Sequence, residues 1–211
     1  MKIAIVTFDG FNEIDSFVAL NILNRVKQAG WKAELVAPSA TVTSLNGVTV
    51  QVEKGLDFAN VADVVLFGSG RKTREVIKDE GLMASFKLDP QRQLIGSQCS
   101  GALIMQRLGL LQSLPACTDS TTRPYLEETG ITVLGQPFYA EGNIATAGGC
   151  LSSQYLAAWV LLQKLGEAAM ADALRYVAPV GEEEKLISHT LEVITGYQRL
   201  IPERLIQASA L

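Results

Sequence analysis

The 211-residue sequence has a single histidine, His189, and only three cysteines, Cys99, Cys117 and Cys150. An odd number of cysteines at such wide spacing builds neither a disulfide framework nor a zinc motif. With one imidazole, a metal centre would need a carboxylate cluster that the sequence does not display, so no metal is expected. No apolar run approaches the roughly 18 residues of a membrane span, and no membrane partner is expected. Residues 2–7 (KIAIVT) open on a strand-like run, without a basic segment, a long apolar stretch or a small-residue cleavage site ahead of it. That start reads as a soluble, cytoplasmic protein. Basic blocks are missing too: eighteen Lys and Arg stand against twenty-two Asp and Glu, for a formal charge of −4. No basic stripe is interleaved with aromatics, which removes nucleic acid from the expected partners.

What is present is apolar residues at 48% and charged residues at 19%, enough to bury one sizeable core. Short Val- and Ile-rich runs alternate with helical patterns, the signature of a mostly parallel sheet covered by helices on both faces. Strands are expected over residues 2–7, 32–37, 63–67 and 93–96. Ile14, Phe17, Val18 and the residues from Leu20 to Val26 form a helical stripe that Gly30 would stop. Asn46-Gly47 predicts a hairpin turn between residues 41–43 and 48–52. Helices follow at about residue 72 and from the second glycine of GSQCSG to Leu108. Beyond them a short strand is expected around residues 116–118, a helix near 123–129, and a strand pair at 131–134 and 138–141. NIATAGGCLSSQYLAAWVLLQKLG then predicts a strand, a glycine turn and a long helix. Residues 179–211 read as a helical extension packed on an α/β domain of residues 1–178, with Glu182-Glu183-Glu184 at a helix start, where negative charge suits the dipole.

The chemistry is expected at the strand ends, because ligand sites in parallel α/β sheets lie outside the C-terminal ends of the strands. Gly96-Ser97-Gln98-Cys99-Ser100-Gly101 joins a strand to a helix and resembles a nucleophile elbow, in which small neighbours let the backbone close around a reactive side chain. On this reading Cys99 is the nucleophile, the following helix N–H groups favour its thiolate, and the Ser100 N–H donates to an oxyanion. The alternative is a cysteine in ordinary core. The first strand ends in FDGFNEIDSF, which supplies Asp9, Glu13 and Asp15; Asp15 either turns over the sheet edge or helps Asn12 cap the helix. Gly68-Ser69-Gly70 ends another strand, and Gly70 or Ser69 is a second oxyanion donor. Gly148-Gly149 forms a possible pocket wall or simply a tight turn; Cys150 and His189 read as structural rather than reactive.

Four segments, GFNEIDSF, VVLFGSGRKTREV, IGSQCSGALIMQRLGLL and TAGGCLSSQYLAAWVL, stand in the order and spacing typical of the ThiJ/PfpI superfamily, relatives of the class I glutamine amidotransferases. The resemblance spans residues 2–176. It implies a flavodoxin-like three-layer sandwich, commonly a homodimer, with the nucleophile at Cys99 and its acidic partner at Asp15. Asp rather than Glu at that position, together with TAGG, is most similar to the isocyanide hydratase branch. Gly68-Ser69-Gly70 departs from the family's proline-glycine-glycine, keeping Gly70 but changing its neighbour to Ser69. Asp119 stands where many members carry a histidine or an aromatic, and with no histidine in the core a peptidase-type couple is disfavoured. The resemblance therefore implies a cysteine-dependent hydratase or hydrolase/lyase acting on an electrophilic carbon of a small molecule. The alternative is a redox-responsive protein whose Cys99 is oxidised without turnover; glyoxalase, deglycase and peptidase activities rank lower.

Overall fold

The computed structural model describes residues 1–199. The apolar runs become β1 (Lys2–Val6), β2 (Lys32–Val36), β3 (Thr41–Thr43), β4 (Thr49–Gln51), β5 (Val64–Phe67), β6 (Leu94–Gln98), β7 (Phe138–Glu141), β8 (Ile144–Ala147) and β9 (Gln198–Arg199). Between them run α1 (Glu13–Leu23), α2 (Asp57–Val61), α3 (Thr73–Val76), α4 (Glu80–Ser85), α5 (Gly101–Arg107), α6 (Arg123–Glu127), α7 (Ser153–Leu165), α8 (Glu167–Val177) and α9 (Glu183–Gly196). One sheet has the order β2-β1-β5-β6-β8-β7-β9, and β3-β4 form the expected separate hairpin. From β2 to β8 the neighbours pair in parallel; β7 is antiparallel to β8, and β9 is parallel to β7.

The period of two along each strand sorts side chains to opposite faces. Ile3, Ile5, Val64 and Leu66 join the core under α1, α7, α8 and α9. Ala4, Val6, Val65 and Phe67 join the core under α2, α4, α5 and α6. Helix–sheet–helix layering follows, and the flavodoxin-like expectation holds. The central layer strand β5 reads VVLF and is buried at every residue, as a strand covered on both faces must be. Residues 155–161 of α7 are all buried, with Trp159 fully so. Such a helix is apolar all round because sheet, α1, α8 and α9 enclose it.

Several elements differ from the sequence reading. Residues 116–118 form only an isolated bridge, Ala116 to Val133. The backbone is satisfied there without a ladder: Ala116 N–H donates to Thr132 O, Leu134 N–H to Ala116 O, and Cys117 N–H to Thr146 Oγ1. Residues 131–134 therefore do not pair with β7, whose partners are β8 and β9. α1 stops at Leu23, with Asn24 as its C-cap, well short of Gly30. Asn24 ends the stripe because its side chain bonds both Ala33 O and Ala33 N across to β2. α8 was not separated from its neighbours in the sequence. In the C-terminal region Ile187, Val193 and Ile194 of α9 lie in the same apolar cluster as β1 and α7. Residues 200–211 of the expected extension lie outside the described residues.

Candidate active site

β6 delivers the chain to Cys99, which has φ 46°, in the left-handed region where a side chain other than glycine's is strained. Surrounding bonds hold it there: Cys99 N–H donates to Ala147 O (2.8 Å), and its carbonyl accepts from Thr118 Oγ1 (2.8 Å) and Ala102 N–H (3.1 Å). Gly101 permits the turn. A Cβ on it would sit 2.5 Å from Phe67 O and 2.9 Å from Gly68 O, so the start of α5 can lie against the end of β5 only without a side chain. The elbow drawn from the sequence is therefore real as backbone geometry.

Two other strand ends bring their side chains to this turn. Asp15, in the first turn of α1, is 2% exposed. Its Oδ2 accepts a short hydrogen bond from Ser69 Oγ, and its backbone carbonyl accepts from Ser153 Oγ at 2.7 Å. Oδ1 is buried without an N–H or O–H partner among the described residues. One carboxylate oxygen, Cys99 Sγ and Cys150 Sγ lie within 4.8 Å of one another, so the two thiols are the donors that this carboxylate faces. Helix capping falls to Asn12, whose Oδ1 accepts from Ile14 N–H (3.2 Å) while its Nδ2 donates to Cys150 Sγ (3.1 Å). The two alternatives for Asp15 separate here: the carboxyl is over the sheet edge, not on the cap.

Burial raises the pKa of the Asp15 carboxyl, against the hydrogen bonds from Ser69 and the thiols that lower it. Burial first, then the charges of Asp15 and Asp119, push the Cys99 thiol far above the ordinary cysteine range. This corrects the expectation of an electropositive turn that stabilises a free thiolate. α5 has seven residues, and its N-terminus does not offset desolvation beside two carboxylates. Burial thus raises both Cys99 and Asp15, so the site disfavours a free thiolate and leaves the carboxyl as the group placed to exchange a proton with the thiol.

A cavity of about 480 Å³ opens over the pair, lined by Cys99, Cys150, Ser69, Gly70, Ser100 and Asp119 together with residues of the loop after β5 and the 119–125 segment. Gly70 N–H donates to Ser100 Oγ (3.2 Å), and that hydroxyl also bonds Thr73 Oγ1 (2.9 Å). Asp119 Oδ1 accepts from Thr121 and Thr122 N–H (2.9 and 3.0 Å), tying down its own loop. Gly148 and Gly149 do not line the cavity. Gly149, at φ 89°, presents its carbonyl to Gln98 Nε2 (2.6 Å), which also reaches Cys99 Sγ (3.5 Å). Asp9 is exposed on the loop, bonding Thr43 N–H, and Glu13 is bonded to Ser44 and Asn46. His189 is exposed on α9, edge-on to Tyr155.

The model of the DJ-1/PfpI family matches residues 1–163. The chain belongs to the DJ-1/PfpI family. Solved structures of similar fold include DJ-1 of Schizosaccharomyces pombe, 19% identical with a TM-score of 0.71, covering 85% of this chain and 100% of that one. A ThiJ/PfpI family protein of Pseudomonas syringae is 20% identical with a TM-score of 0.74, covering 92% and 87%. DJ-1 of Toxoplasma gondii in its oxidized form is 19% identical with a TM-score of 0.69, covering 83% and 97%. No curated protein matches the sequence.

Within this family fold, sequence reasoning missed Cys150 as a member of the site, because 50 intervening residues hide its approach to Cys99. Its position at the end of β8, beside β6 in the sheet, was the available signal. Asp15, Cys99 and Cys150 also make up a three-donor set of one oxygen and two sulfurs that a thiophilic ion could use, a convergence that linear spacing did not reveal. Gln98, which donates to Cys99 Sγ, carried no sequence signal, and Asn12, legible as a helix cap, gave no sign that its side chain also donates to Cys150 Sγ.

Proposed function

We propose that this DJ-1/PfpI protein is a cysteine-dependent hydratase or hydrolase/lyase for a small molecule with an electrophilic carbon, of the isocyanide hydratase kind. The observation that carries this is a cysteine held at φ 46° on an elbow, its sulfur beside a buried carboxylate, under a small cavity. Cys99 Sγ adds to the carbon as its proton passes to Asp15, so no free thiolate is needed. With an isocyanide the terminal carbon takes both the sulfur and the proton held by Asp15, giving a thioimidate; water then adds to that carbon, one of its protons going to the nitrogen and the other through Asp15 to the departing Cys99 sulfur, which leaves a formamide. Gly70 N–H and Ser100 face developing negative charge; Ser100 Oγ, which now accepts the Gly70 N–H, turns away or relays it. The chemistry needs no metal or organic cofactor. The lone histidine, exposed on α9, leaves no Cys-His couple for a peptidase. Assay of wild type, Cys99→Ala and Asp15→Asn against a panel of isocyanides and 2-oxoaldehydes tests the reading; turnover that survives loss of the thiol overturns it.

A second reading, a redox-responsive protein, is favoured by one observation: the Cys150 sulfur next to that of Cys99. A hydroperoxide would oxidise the Cys99 thiol to a sulfenic acid with release of water or alcohol. The Cys150 thiol would then displace water to give a disulfide. Mild peroxide followed by peptide mapping separates the readings, since oxidation of Cys117 ahead of Cys99 removes the sensor.

We also propose a cytoplasmic homodimer. Among the described residues no helix is long and apolar enough to cross a membrane, and a reducing compartment suits three free thiols. The exposed edge of α1 carries Ile14, 45% exposed, beside Phe17 and Leu151, 68% exposed, along an apolar groove of about 610 Å³. A second copy covering this face would bury it by two-fold symmetry next to Asp15. Ile14→Arg should then sediment as a monomer; a wild-type monomer with full activity at micromolar concentration removes the dimer.

A further inference from the structure

The cavity over Cys99 is lined by two arginines, Arg71 and Arg74, and by one carboxylate, Asp119. Neither arginine has an ion-pair partner among the described residues. Arg71 uses Nη2 on Leu45 O at 3.2 Å, and among the described residues its other donors have no partner. Arg74 lies with Cζ 4.4 Å above the Tyr125 ring, a stack that fixes the guanidinium plane without consuming an N–H. The one carboxylate in the wall is engaged elsewhere, on the backbone of Thr121 and Thr122. Two exposed guanidinium forks that line the same cavity as Cys99, with donors left without a partner among the described residues, can recognise a planar or tetrahedral oxyanion by paired hydrogen bonds.

We propose that Arg71 and Arg74 bind an oxyanion group, carboxylate or phosphate, on the substrate, so that the electrophile attacked by Cys99 carries negative charge a few bonds from the reacting carbon. This deepens the enzyme reading and rests on it for the role of Cys99. It also accounts for a tension in the site. Asp15 and Asp119 place negative charge beside the sulfur, which disfavours anions at the reacting atom itself; the arginines supply the compensating attraction, Arg71 from the loop after β5 and Arg74 from α3. The two positions together select molecules that are neutral at the electrophilic carbon and anionic at the other end. Neutral aldehydes and isocyanides of similar size would react but not be held.

Iodoacetate and iodoacetamide test this at the sulfur without any knowledge of the substrate, because they differ chiefly in charge. Alkylation rates at Cys99, followed by peptide mapping, are expected to show an iodoacetate-to-iodoacetamide ratio about tenfold above that of the urea-unfolded chain. In Arg71→Gln/Arg74→Gln the ratio should fall back toward that of the unfolded chain, the iodoacetamide rate of each protein serving as its internal reference for thiol reactivity. An equal ratio in variant and wild type overturns the proposal. The melting temperature with pyruvate or inorganic phosphate gives an independent readout. A rise in wild type that is lost in the double variant supports the oxyanion site even if Cys99 resists both reagents, an outcome that would count against the nucleophile alone. No rise with either anion overturns the site, and the larger of the two rises tells carboxylate from phosphate.

Discussion

Cys99 and Cys117 are both buried thiols, 3% and 0% exposed, and burial raises both, Cys117 to about 12. By exposure and titration alone they look alike. They differ in what surrounds the sulfur. Cys117 follows the isolated Ala116 bridge, its N–H held by Thr146 Oγ1, and the neighbours that act on its thiol besides burial are Thr146 and then Arg123, both of which lower it. Cys99 sits in a left-handed turn against Asp15, Cys150 and an open cavity. A perturbed thiol is thus not a sign of reactivity; a proton acceptor within reach and backbone strain held in place by neighbours are.

The sharpest break between the two thiols comes from their deletion. Cys99→Ala should abolish turnover on the isocyanide and 2-oxoaldehyde panel, while Cys117→Ala should keep its steady-state kinetics and lose stability only, by about 1 kcal/mol for the lost sulfur. Next in size is Asp15→Asn, expected to lower turnover about 10²- to 10⁴-fold. The same variant should melt higher than wild type at neutral pH. The sign follows from linkage: a carboxyl raised above its unfolded value contributes its stability below that unfolded value and loses it as pH rises through the folded one. Wild type therefore carries a penalty at neutral pH that Asn does not, and thermal melts of the two should converge in acid as Asp15 protonates.

Smaller effects probe the frame that holds Cys99 apart from Cys117. Gly101→Ala forces a Cβ onto Phe67 O and Gly68 O and should cost about 1–3 kcal/mol in denaturant unfolding. Gly135→Ala, with open space around it and no positive φ, should be close to neutral. Thr146→Val removes the acceptor of the Cys117 N–H, leaving a buried donor unpaired at about 1–3 kcal/mol, with kcat unchanged.

Much of this was legible in the sequence because it rests on local chemistry. Strands over β1, β2, β5, β6 and β8 follow from apolar runs, the β3-β4 hairpin from Asn46-Gly47, and the elbow from glycines around Cys99. Asp15 was legible by its place one turn into α1. Residues 116–118 and 131–134 were misread because a run that looks like a strand needs a free ladder partner, and both were already satisfied by a single bridge and the Thr146 hydroxyl. The protonation of Cys99 was misjudged because helix N–H groups are visible in sequence, while desolvation and the charge of Asp119 arise only on folding. Cys150 and the stacked Arg74 depend on neighbours far away in the chain, and periodicity carries no information about those.

The pairing of Cys99 with Asp15 is best tested by the pH dependence of Cys99 alkylation with iodoacetamide, compared between wild type and Asp15→Asn. In wild type the ionised carboxylate accepts the thiol proton, so the rate should rise with the ionisation of Asp15 and level off above its raised pKa. In Asp15→Asn the charge of Asp15 is gone, yet burial, the larger influence on the thiol, remains, and the rate should climb only in the alkaline range. Labelling of Asp15→Asn at neutral pH as fast as wild type would contradict a shared proton between the two side chains.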